Sequence, residues 1–179
     1  MPRNWEEHYT AAANRDETPA PLLVQAVELL PPGRALDLAC GAGRNALYLA
    51  GLGWDVVAVD SAAAAIRIIR VQAAERGLAV DARVAGLETD AFTIEPGGYD
   101  LICDFFYLQR ELFPYIREGV KSGGVFVAEI HLRDQNCHRF VLEPGELRAE
   151  FAGWKVLYYS ETVRRENDRP TAQMIARRA

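Results

Sequence analysis

Two glycines and an acid, spaced along one stretch of the chain, could form a site for a nucleoside or a nucleotide. Gly41 and Gly43 lie between an apolar run and a helix-like segment. Because glycine has no Cβ atom, the backbone of such a turn can touch a ligand. Asp60 lies nineteen positions after Gly41, at the end of the next apolar run, where a carboxylate can bind both ribose hydroxyls. The spacing indicates ribose recognition, although Asp60 taken alone is equally well explained as a helix cap.

The glycine turn also satisfies the dinucleotide fingerprint G-x-G-x-x-G/A, with Ala46 as its last residue. A lone match of this kind is weak, because many unrelated sequences contain it. Asp37, four residues before Gly41, favours S-adenosylmethionine instead. A carboxylate at this position would repel a pyrophosphate, whereas it can orient the turn or meet an ammonium group through water.

Two later segments point to the same crevice. Residues 98–106 form an apolar run with an aromatic-acid pair at its start and Asp104 near its end, and residues 121–129 place a Gly-Gly turn before an apolar run. In an open sheet, ligands bind outside the carboxyl ends of the strands, where the strand order reverses. The loops after the first four strands should therefore converge on one site.

The elements that must position these residues alternate between strand-like and helix-like runs, which predicts an α/β fold with a parallel sheet covered on both faces. Residues 86–98 should form a loop or a single helical turn. We predict helices over residues 44–52, 62–76, 108–120 and 146–151, and strands over residues 35–38, 56–59, 80–84, 99–105, 125–130, 155–159 and 172–177.

Together, these segments resemble the class I S-adenosylmethionine-dependent methyltransferases over nearly the whole chain. The resemblance is closest to the small stand-alone group that includes the tellurite-resistance methyltransferases. It rests on residues 36–50 (LDLACGAGRNALYLA), on Trp5 and Tyr9, and on Glu146-Leu147 before Phe151. It implies methyl transfer from S-adenosyl-L-methionine to a small-molecule acceptor by in-line displacement. The implied fold is Rossmann-like and doubly wound, with a mostly parallel seven-stranded sheet whose last strand runs antiparallel between strand five and the strand before it.

The cofactor would then be held by the loops at the carboxyl ends of the strands. The turn at residues 39–43 would cradle the methionine part, Asp60 the ribose, and Leu87 and Glu88 the adenine, with Ser61 capping the next helix. Gly86 replaces the acid that many relatives carry there, so the adenine contact must come from another group. The full set of expected cofactor-binding residues is Tyr9, Asp37, Ala39, Cys40, Gly41, Gly43, Asn45, Asp60, Ser61, Leu87, Glu88 and Asp104.

Several of these residues also have purely structural explanations. Asp104 could face the sulfonium or ammonium group, or form a salt bridge to Arg110 or another cation. Cys40 is better explained as a small residue packed beneath the turn. Trp5 and Tyr9 could pack an amino-terminal helix on the domain, and the same packing could close the site as a lid.

The acceptor side of the site is less well defined by the sequence. Phe106 and Tyr107 could line the methyl-transfer channel, and Arg110 and His131 are further candidates for substrate binding. His131 could act as a general base, but an exposed or core-satisfied histidine is the more common case. Transfer to an already ionised acceptor would need no base.

Composition fits one enzyme domain over residues 1–179, with a lid segment at residues 1–30 and a Rossmann-like core at residues 34–179. The net charge of -5 disfavours a nucleic-acid partner, so a small-molecule substrate is expected. We expect no membrane span and no secretory signal, hence a cytoplasmic protein. Three cysteines without a CxxC pair favour reduced thiols and no metal site. The sequence leaves monomer and homodimer equally open.

Two other functions stay open at this point. An NAD-binding oxidoreductase should carry a catalytic Tyr-x-x-x-Lys or a separate substrate domain, and neither is present in the sequence. A non-catalytic protein that binds S-adenosylmethionine or S-adenosylhomocysteine would keep the same glycine turn.

Overall fold

The computed structural model describes residues 4–11, 16–89, 91–134, 140–162 and 169–179. Its strands are β1 (Arg34–Leu38), β2 (Asp55–Asp60), β3 (Val80–Val84), β4 (Tyr99–Phe105), β5 (Val120–His131), β6 (Lys155–Thr162) and β7 (Thr171–Arg177). Its helices are α1 (Trp5–Ala11), α2 (Pro21–Val27), α3 (Arg44–Gly51), α4 (Ala63–Glu75), α5 (Phe113–Gly119), which a 3₁₀ turn (Arg110–Leu112) precedes, and α6 (Glu146–Glu150).

The seven strands form one sheet in the order β3-β2-β1-β4-β5-β7-β6. The strands β1 to β5 pair in parallel, whereas β7 is antiparallel to both β5 and β6. The order reverses between β1 and β4, so a crevice opens beside their carboxyl ends. The predicted fold class and the inserted antiparallel strand are confirmed.

Side chains of each strand alternate between two cores, one on each face of the sheet. In β1, Leu36 and Leu38 join the core that also contains Phe113 of α5. Ala35 joins the other core, together with residues of α2, α3 and α4. Asp37 follows the alternation of Ala35 and therefore lies on the face covered by α2, α3 and α4.

Three predicted boundaries differ from the structure by more than one residue. The strand β5 begins at Val120, where it pairs with Tyr99 across a register shift, and not at residue 125. The predicted helix at residues 108–120 is a 3₁₀ turn followed by the shorter α5. The strand β6 continues to Thr162, because the turn region expected after residue 159 still pairs with β7. The described residues between β3 and β4 contain only turns, as predicted.

Among the described residues, none of the helices has both the length and the apolar character required to cross a lipid bilayer.

Candidate ligand-binding site

Two adjoining cavities lie at the carboxyl ends of β1 and β4. The larger has a volume of about 470 Å³ and the smaller about 320 Å³. Both fall in the range typical of small-molecule sites. Tyr9, Ala39, Phe105 and Phe106 line both cavities, so the two form one continuous crevice. Sequence analysis placed the site at this edge of the sheet.

The glycine turn forms one wall of the smaller cavity. Ala39, Gly41 and Gly43 all have positive φ angles, of 50°, 55° and 85°. A Cβ atom added to Gly41 would lie 2.4 Å from the Tyr9 hydroxyl oxygen, so this glycine allows Tyr9 to approach the backbone closely. A Cβ atom added to Gly43 would lie 2.4 Å from Cγ1 of Ile69. Gly43 therefore makes room for α4, and it lines neither cavity.

Asp60 accepts hydrogen bonds from two backbone amides. Its Oδ2 atom accepts from the Gly41 N–H at 2.9 Å, and its Oδ1 atom accepts from the Ala62 N–H at 2.8 Å. The carboxylate thus fixes the glycine turn and the start of α4, and each oxygen retains a lone pair directed to further donors. Ser61 was predicted to cap α4, and this is wrong: the cap position is Ala62, no side chain caps the helix, and Asp60 accepts from the Ala62 N–H just before the helix begins. Both Asp60 and Ser61 line the larger cavity.

Asp37 is almost fully buried and lines the smaller cavity. The Cys103 thiol donates to its Oδ1 atom at 3.3 Å, across the β1–β4 pair. Its buried Oδ2 atom has no hydrogen-bond partner among the described residues. Burial raises the pKa of the carboxyl group from 3.8 to about 7. A cation in the smaller cavity would supply the missing partner and favour the ionised form.

Asp104 is buried on the opposite face of the sheet and lines neither cavity. Burial raises its pKa well above the ordinary value, and its Oδ1 atom has no hydrogen-bond partner among the described residues. The alternative partner suggested by the sequence, Arg110, is engaged elsewhere. The Arg110 guanidinium donates to Glu146 and, at 3.0 Å, to the carbonyl of Val141. Arg110 braces the segment after β5 and lies outside both cavities.

The loop after β3 borders the larger cavity. Gly86, Leu87 and Glu88 line the larger cavity, close to Asp60 and Ser61. The expected neighbours of a ribose and an adenine ring are therefore together in one cavity.

Asn45 and Cys40 also line the smaller cavity. Asn45 is buried, and its Oδ1 atom accepts from the Ala20 N–H at 2.9 Å. Cys40 also lines this cavity, and burial raises the pKa of its thiol well above the ordinary value. Cys40 is partly exposed, so the prediction that it only packs beneath the turn stays untested.

The helix α1 lies over the crevice. Glu6 accepts from the Ala64 N–H at 3.0 Å, which ties α1 to the first turn of α4. The rings of Trp5 and Tyr9 stack with centroids 6.1 Å apart, and both residues line the larger cavity. No residue of α1 is buried. These contacts place α1 as a cover over the site, and not as a helix packed into the core.

Aromatic residues form another part of the wall of the larger cavity. Phe106 and Tyr107 line the larger cavity, as expected, and so does Phe140, which sequence analysis missed because no pattern surrounds it. The His131 ring lies behind Phe106, with centroids 5.2 Å apart, and lines neither cavity. Burial lowers the pKa of His131, and its Nδ1 atom has no hydrogen-bond partner among the described residues.

The third of the three cysteines counted in the sequence, Cys137, lies outside the described residues. Within the described part of the chain, no group of three or more His, Cys, Asp or Glu side chains is arranged to hold a metal ion.

Known proteins resemble this chain over most of its length. One relative from Eikenella corrodens, named Hemagglutinin 1, is 33% identical over 151 residues, which is 78% of this chain and 49% of the relative. A second, named probable S-adenosyl-L-methionine-dependent methyltransferase TehB, from Haemophilus influenzae, is 31% identical over 153 residues, or 79% of this chain and 52% of the relative. The chain thus spans about half the length of these curated relatives.

The crystal structure of TehB from Haemophilus influenzae shares the fold, with a TM-score of 0.77 and 23% identity over 98% of this chain and 66% of that one. The family described as tellurite resistance protein TehB matches residues 3–172. This is the group that the glycine turn, its flanking acids and the amino-terminal aromatic residues indicated. The chain belongs to the tellurite resistance protein TehB family.

Proposed function

We propose that this protein binds S-adenosyl-L-methionine and transfers its methyl group to a small-molecule acceptor. The observation that carries the proposal is the Oδ2 atom of Asp37, buried without a partner among the described residues and belonging to a residue that lines the cavity beside the glycine turn. A buried carboxylate without a partner is costly, and a ligand ammonium group would offset that cost.

The crevice residues can be assigned to the parts of the ligand. The smaller cavity, with Asp37 and Gly41, suits the methionine end. In the larger cavity, Asp60 can accept from the ribose hydroxyls while it keeps its backbone bonds, and Leu87 and Glu88 flank the adenine position. The buried carboxylate of Asp37 fits the ammonium group of this cofactor.

A dinucleotide fits the same crevice less well. Its pyrophosphate would lie at the glycine turn, within a cavity lined by Asp37, Asp16 and Arg44, where the Arg44 guanidinium is already paired with Asp16 at 3.0 Å. Like charges in a site partly closed to water repel strongly. Support for the methyltransferase assignment also comes from the Haemophilus influenzae relative, whose name is that of a probable S-adenosyl-L-methionine-dependent methyltransferase.

Methyl transfer makes modest demands on the protein. When bound, the cofactor supplies a methyl group on a sulfonium sulfur, and an in-line displacement needs alignment and a dry cavity more than an acid or a base. Tyr9 and Trp5 cover the crevice and exclude water, while Phe106 borders both cavities, where donor and acceptor must meet. Aromatic faces also stabilise a sulfonium cation. His131, whose pKa is lowered, is neutral at pH 7 and able to accept a proton behind Phe106.

Calorimetric titration tests the proposal. S-adenosylmethionine, S-adenosylhomocysteine and NAD are titrated into the wild type, into Asp37→Asn, and into Asp81→Asn as a matched control on an exposed acid of β3. We expect both sulfur nucleosides to bind, NAD not to bind, and only Asp37→Asn to weaken binding, by about tenfold or more. Binding of NAD alone, or of none of the three, would contradict the proposal.

Turnover distinguishes an enzyme from a protein that only binds the cofactor. Formation of S-adenosylhomocysteine is measured with a panel of small thiols, amines and oxyanions. A protein that binds the cofactor but turns over with none of these acceptors supports the binding-only alternative.

A further inference from the structure

Cys103 is a buried cysteine to which the proposed function gives no role. It lies in β4 and is the register partner of Asp37 in β1. Its side chain is fully buried in the core that α2, α3 and α4 cover, and its thiol donates to the Asp37 Oδ1 atom at 3.3 Å. Burial raises the pKa of this thiol well above its ordinary value, so the sulfur keeps its proton and acts as the donor. Cys103 lines neither cavity, so it can act on a ligand only through Asp37.

The hydrogen bond from Cys103 gives the two oxygens of Asp37 different tasks. Oδ1 is bound to β4, whereas Oδ2 is buried without a partner among the described residues. Asp37 lines the smaller cavity, so Oδ2 is the atom left for a ligand cation. A carboxylate that is already fixed through one oxygen loses less conformational entropy when the other oxygen binds a ligand. The contact with Cys103 therefore pre-organises Asp37 for binding.

The same contact affects the charge of Asp37. A hydrogen bond to a carboxylate favours its ionised form, and a thiol is a weaker donor than a hydroxyl group. Burial raises the pKa of Asp37 to about 7, and the hydrogen bond from Cys103 is the largest of the effects that oppose this rise. Because the donor is weak, Asp37 remains about half ionised near neutral pH.

Other charged and titratable groups also face Asp37. The Arg44 side chain of α3 lowers the pKa of Asp37, and Asp60 of β2 raises it. Arg44 is itself paired with Asp16 at 3.0 Å. The titratable residues that line the smaller cavity together with Asp37 are His8, Tyr9, Asp16, Cys40 and Arg44. Within the described part of the chain, the side chain that donates a hydrogen bond to Asp37 is that of Cys103.

We propose that Cys103 is a positioning residue for the ammonium group of the cofactor; this inference rests on the proposed function. Its thiol holds Oδ1 of Asp37, leaves Oδ2 to the ligand, and sets the pH below which binding weakens. A stronger donor at position 103 should move this pH downwards, and loss of the donor should move it upwards.

The test compares two substitutions that change the donor in opposite directions. Cys103→Ser supplies a hydroxyl group, a stronger donor of nearly the same size, and Cys103→Ala removes the donor. Val127→Ala is the control, because Val127 is the register partner of Cys103 on β5, lies in the same core and has no side-chain group that could bond to Asp37. All three changes disturb the packing of this core, but only those at position 103 change the hydrogen bond.

The pKa of Asp37 is measured in the protein without ligand, by NMR titration of isotope-labelled aspartate, with Asp37→Asn to assign the signal. We expect this pKa to fall by about one unit in Cys103→Ser and to rise by about one unit in Cys103→Ala. In Val127→Ala it should not move, although that protein is less stable than the wild type.

Calorimetry with S-adenosylhomocysteine measures the effect on binding. Because the ligand ammonium group requires ionised Asp37, binding at about pH 6.5 should be about threefold tighter in Cys103→Ser and about eightfold weaker in Cys103→Ala. Changes in opposite directions cannot come from packing alone, since both substitutions disturb the same core. If Cys103→Ala does not fold, the comparison of Cys103→Ser with the wild type still tests the inference.

Three results would overturn the inference. These are an unchanged pKa of Asp37 in both Cys103 variants, a pKa that moves without any change in affinity, and an equal loss of affinity in the Cys103 variants and in Val127→Ala. Failure of S-adenosylhomocysteine to bind the wild type would instead contradict the proposed function. Opposite shifts of the Asp37 pKa in that case would still support control of this carboxyl group by Cys103.

Discussion

The two sides of the crevice are built in different ways. On the β1–β2 side, backbone amides bind the Asp60 carboxylate, and the space left by each glycine is filled, by Tyr9 at Gly41 and by Ile69 at Gly43. On the β4–β5 side, Phe106 and Phe140 expose large rings. Asp37 lies between the two sides, with the Cys103 thiol donating to its Oδ1 atom and its Oδ2 atom buried without a partner among the described residues.

This difference indicates which side of the crevice tolerates amino-acid substitution without loss of stability. Where each group already has a partner, a substitution alters the fold and the site together. Where a ring faces the cavity without a protein partner, a substitution alters recognition and leaves stability nearly unchanged. The following four substitutions test this contrast.

Asp60→Ala should have the largest effect. It removes an acceptor from two backbone amides, so the free energy of unfolding should fall by about 3 kcal/mol, and cofactor binding should be lost. Urea denaturation measures the first effect and calorimetry the second. Asp55→Ala, at the exposed start of the same strand, is the control and should change stability by less than about 1 kcal/mol. Equal effects of Asp60→Ala and Asp55→Ala on stability and on cofactor binding would contradict the proposed role of Asp60.

Gly43→Ala should destabilise the protein by about 2 kcal/mol, because the new Cβ atom meets Ile69 at 2.4 Å and φ is 85°. Measured in the Ile69→Ala background, which is itself destabilised by its cavity, the added cost of Gly43→Ala should be smaller than in the wild type, and the cost that persists is the part due to φ. Gly51→Ala is the control, since no atom lies within 4 Å of a Cβ placed there. A stable Gly43→Ala protein that fails to bind S-adenosylhomocysteine would mean that this glycine serves the ligand, and not helix packing.

Asp37 should make cofactor affinity depend on pH. Its pKa is raised to about 7, so the folded protein retains a proton that the unfolded chain loses near pH 4. This group therefore makes the folded state less stable as the pH rises from about 4 to about 7, with no further change above 7. Binding of a ligand ammonium group requires the ionised form, so affinity should fall about tenfold for each pH unit below 7.

Calorimetry with S-adenosylhomocysteine from pH 5.5 to 8 measures this dependence. In Asp37→Asn the profile should be flat, because an amide does not titrate in this range. A wild-type affinity that is constant from pH 5.5 to 8 would show that Asp37 does not meet the ligand charge.

Arg110→Ala should have the smallest effect. Its partly exposed ion pair with Glu146 stabilises by less than about 1 kcal/mol, and the residue lines neither cavity. The affinity for S-adenosylhomocysteine should stay within twofold of the wild type. A larger loss of affinity would mean that the segment after β5, which Arg110 contacts at Val141 and Glu146, lies closer to the cofactor than the contacts of Arg110 indicate.

The sequence predicted the β1–β2 side better than the β4–β5 side for a physical reason. A glycine turn between an apolar strand and a helix, with acids at fixed spacing, is a local pattern. The bounds of β3 and β4 were likewise predicted, because apolar runs bounded by turn residues are local too.

The errors arose where tertiary contacts decide. Ser61 does not cap α4, and the end of β2 instead places the Asp60 carboxylate against the amide of Ala62 just before the helix. Phe140 lies at the cavity because the Leu142 N–H, two residues later, donates to the His131 carbonyl. No sequence spacing reveals this hydrogen bond. The position of the Arg110 side chain is likewise set by a distant contact, its ion pair with Glu146, which sequence spacing does not reveal. The cofactor-binding and acceptor-binding roles of individual residues remain predictions.

The position of β7 has a consequence for synthesis of the protein on the ribosome. β7 lies between β5 and β6, yet it follows both in the chain. Until its residues emerge, β5 is an edge strand with unpaired amides and an apolar surface, and such an edge favours aggregation. The nascent chain can thus assemble β1 to β5 early. The edge of β5 then stays unpaired and prone to aggregation until β7 is inserted. A chaperone that shields this edge would raise the yield of folded protein more than one that acts on the glycine turn.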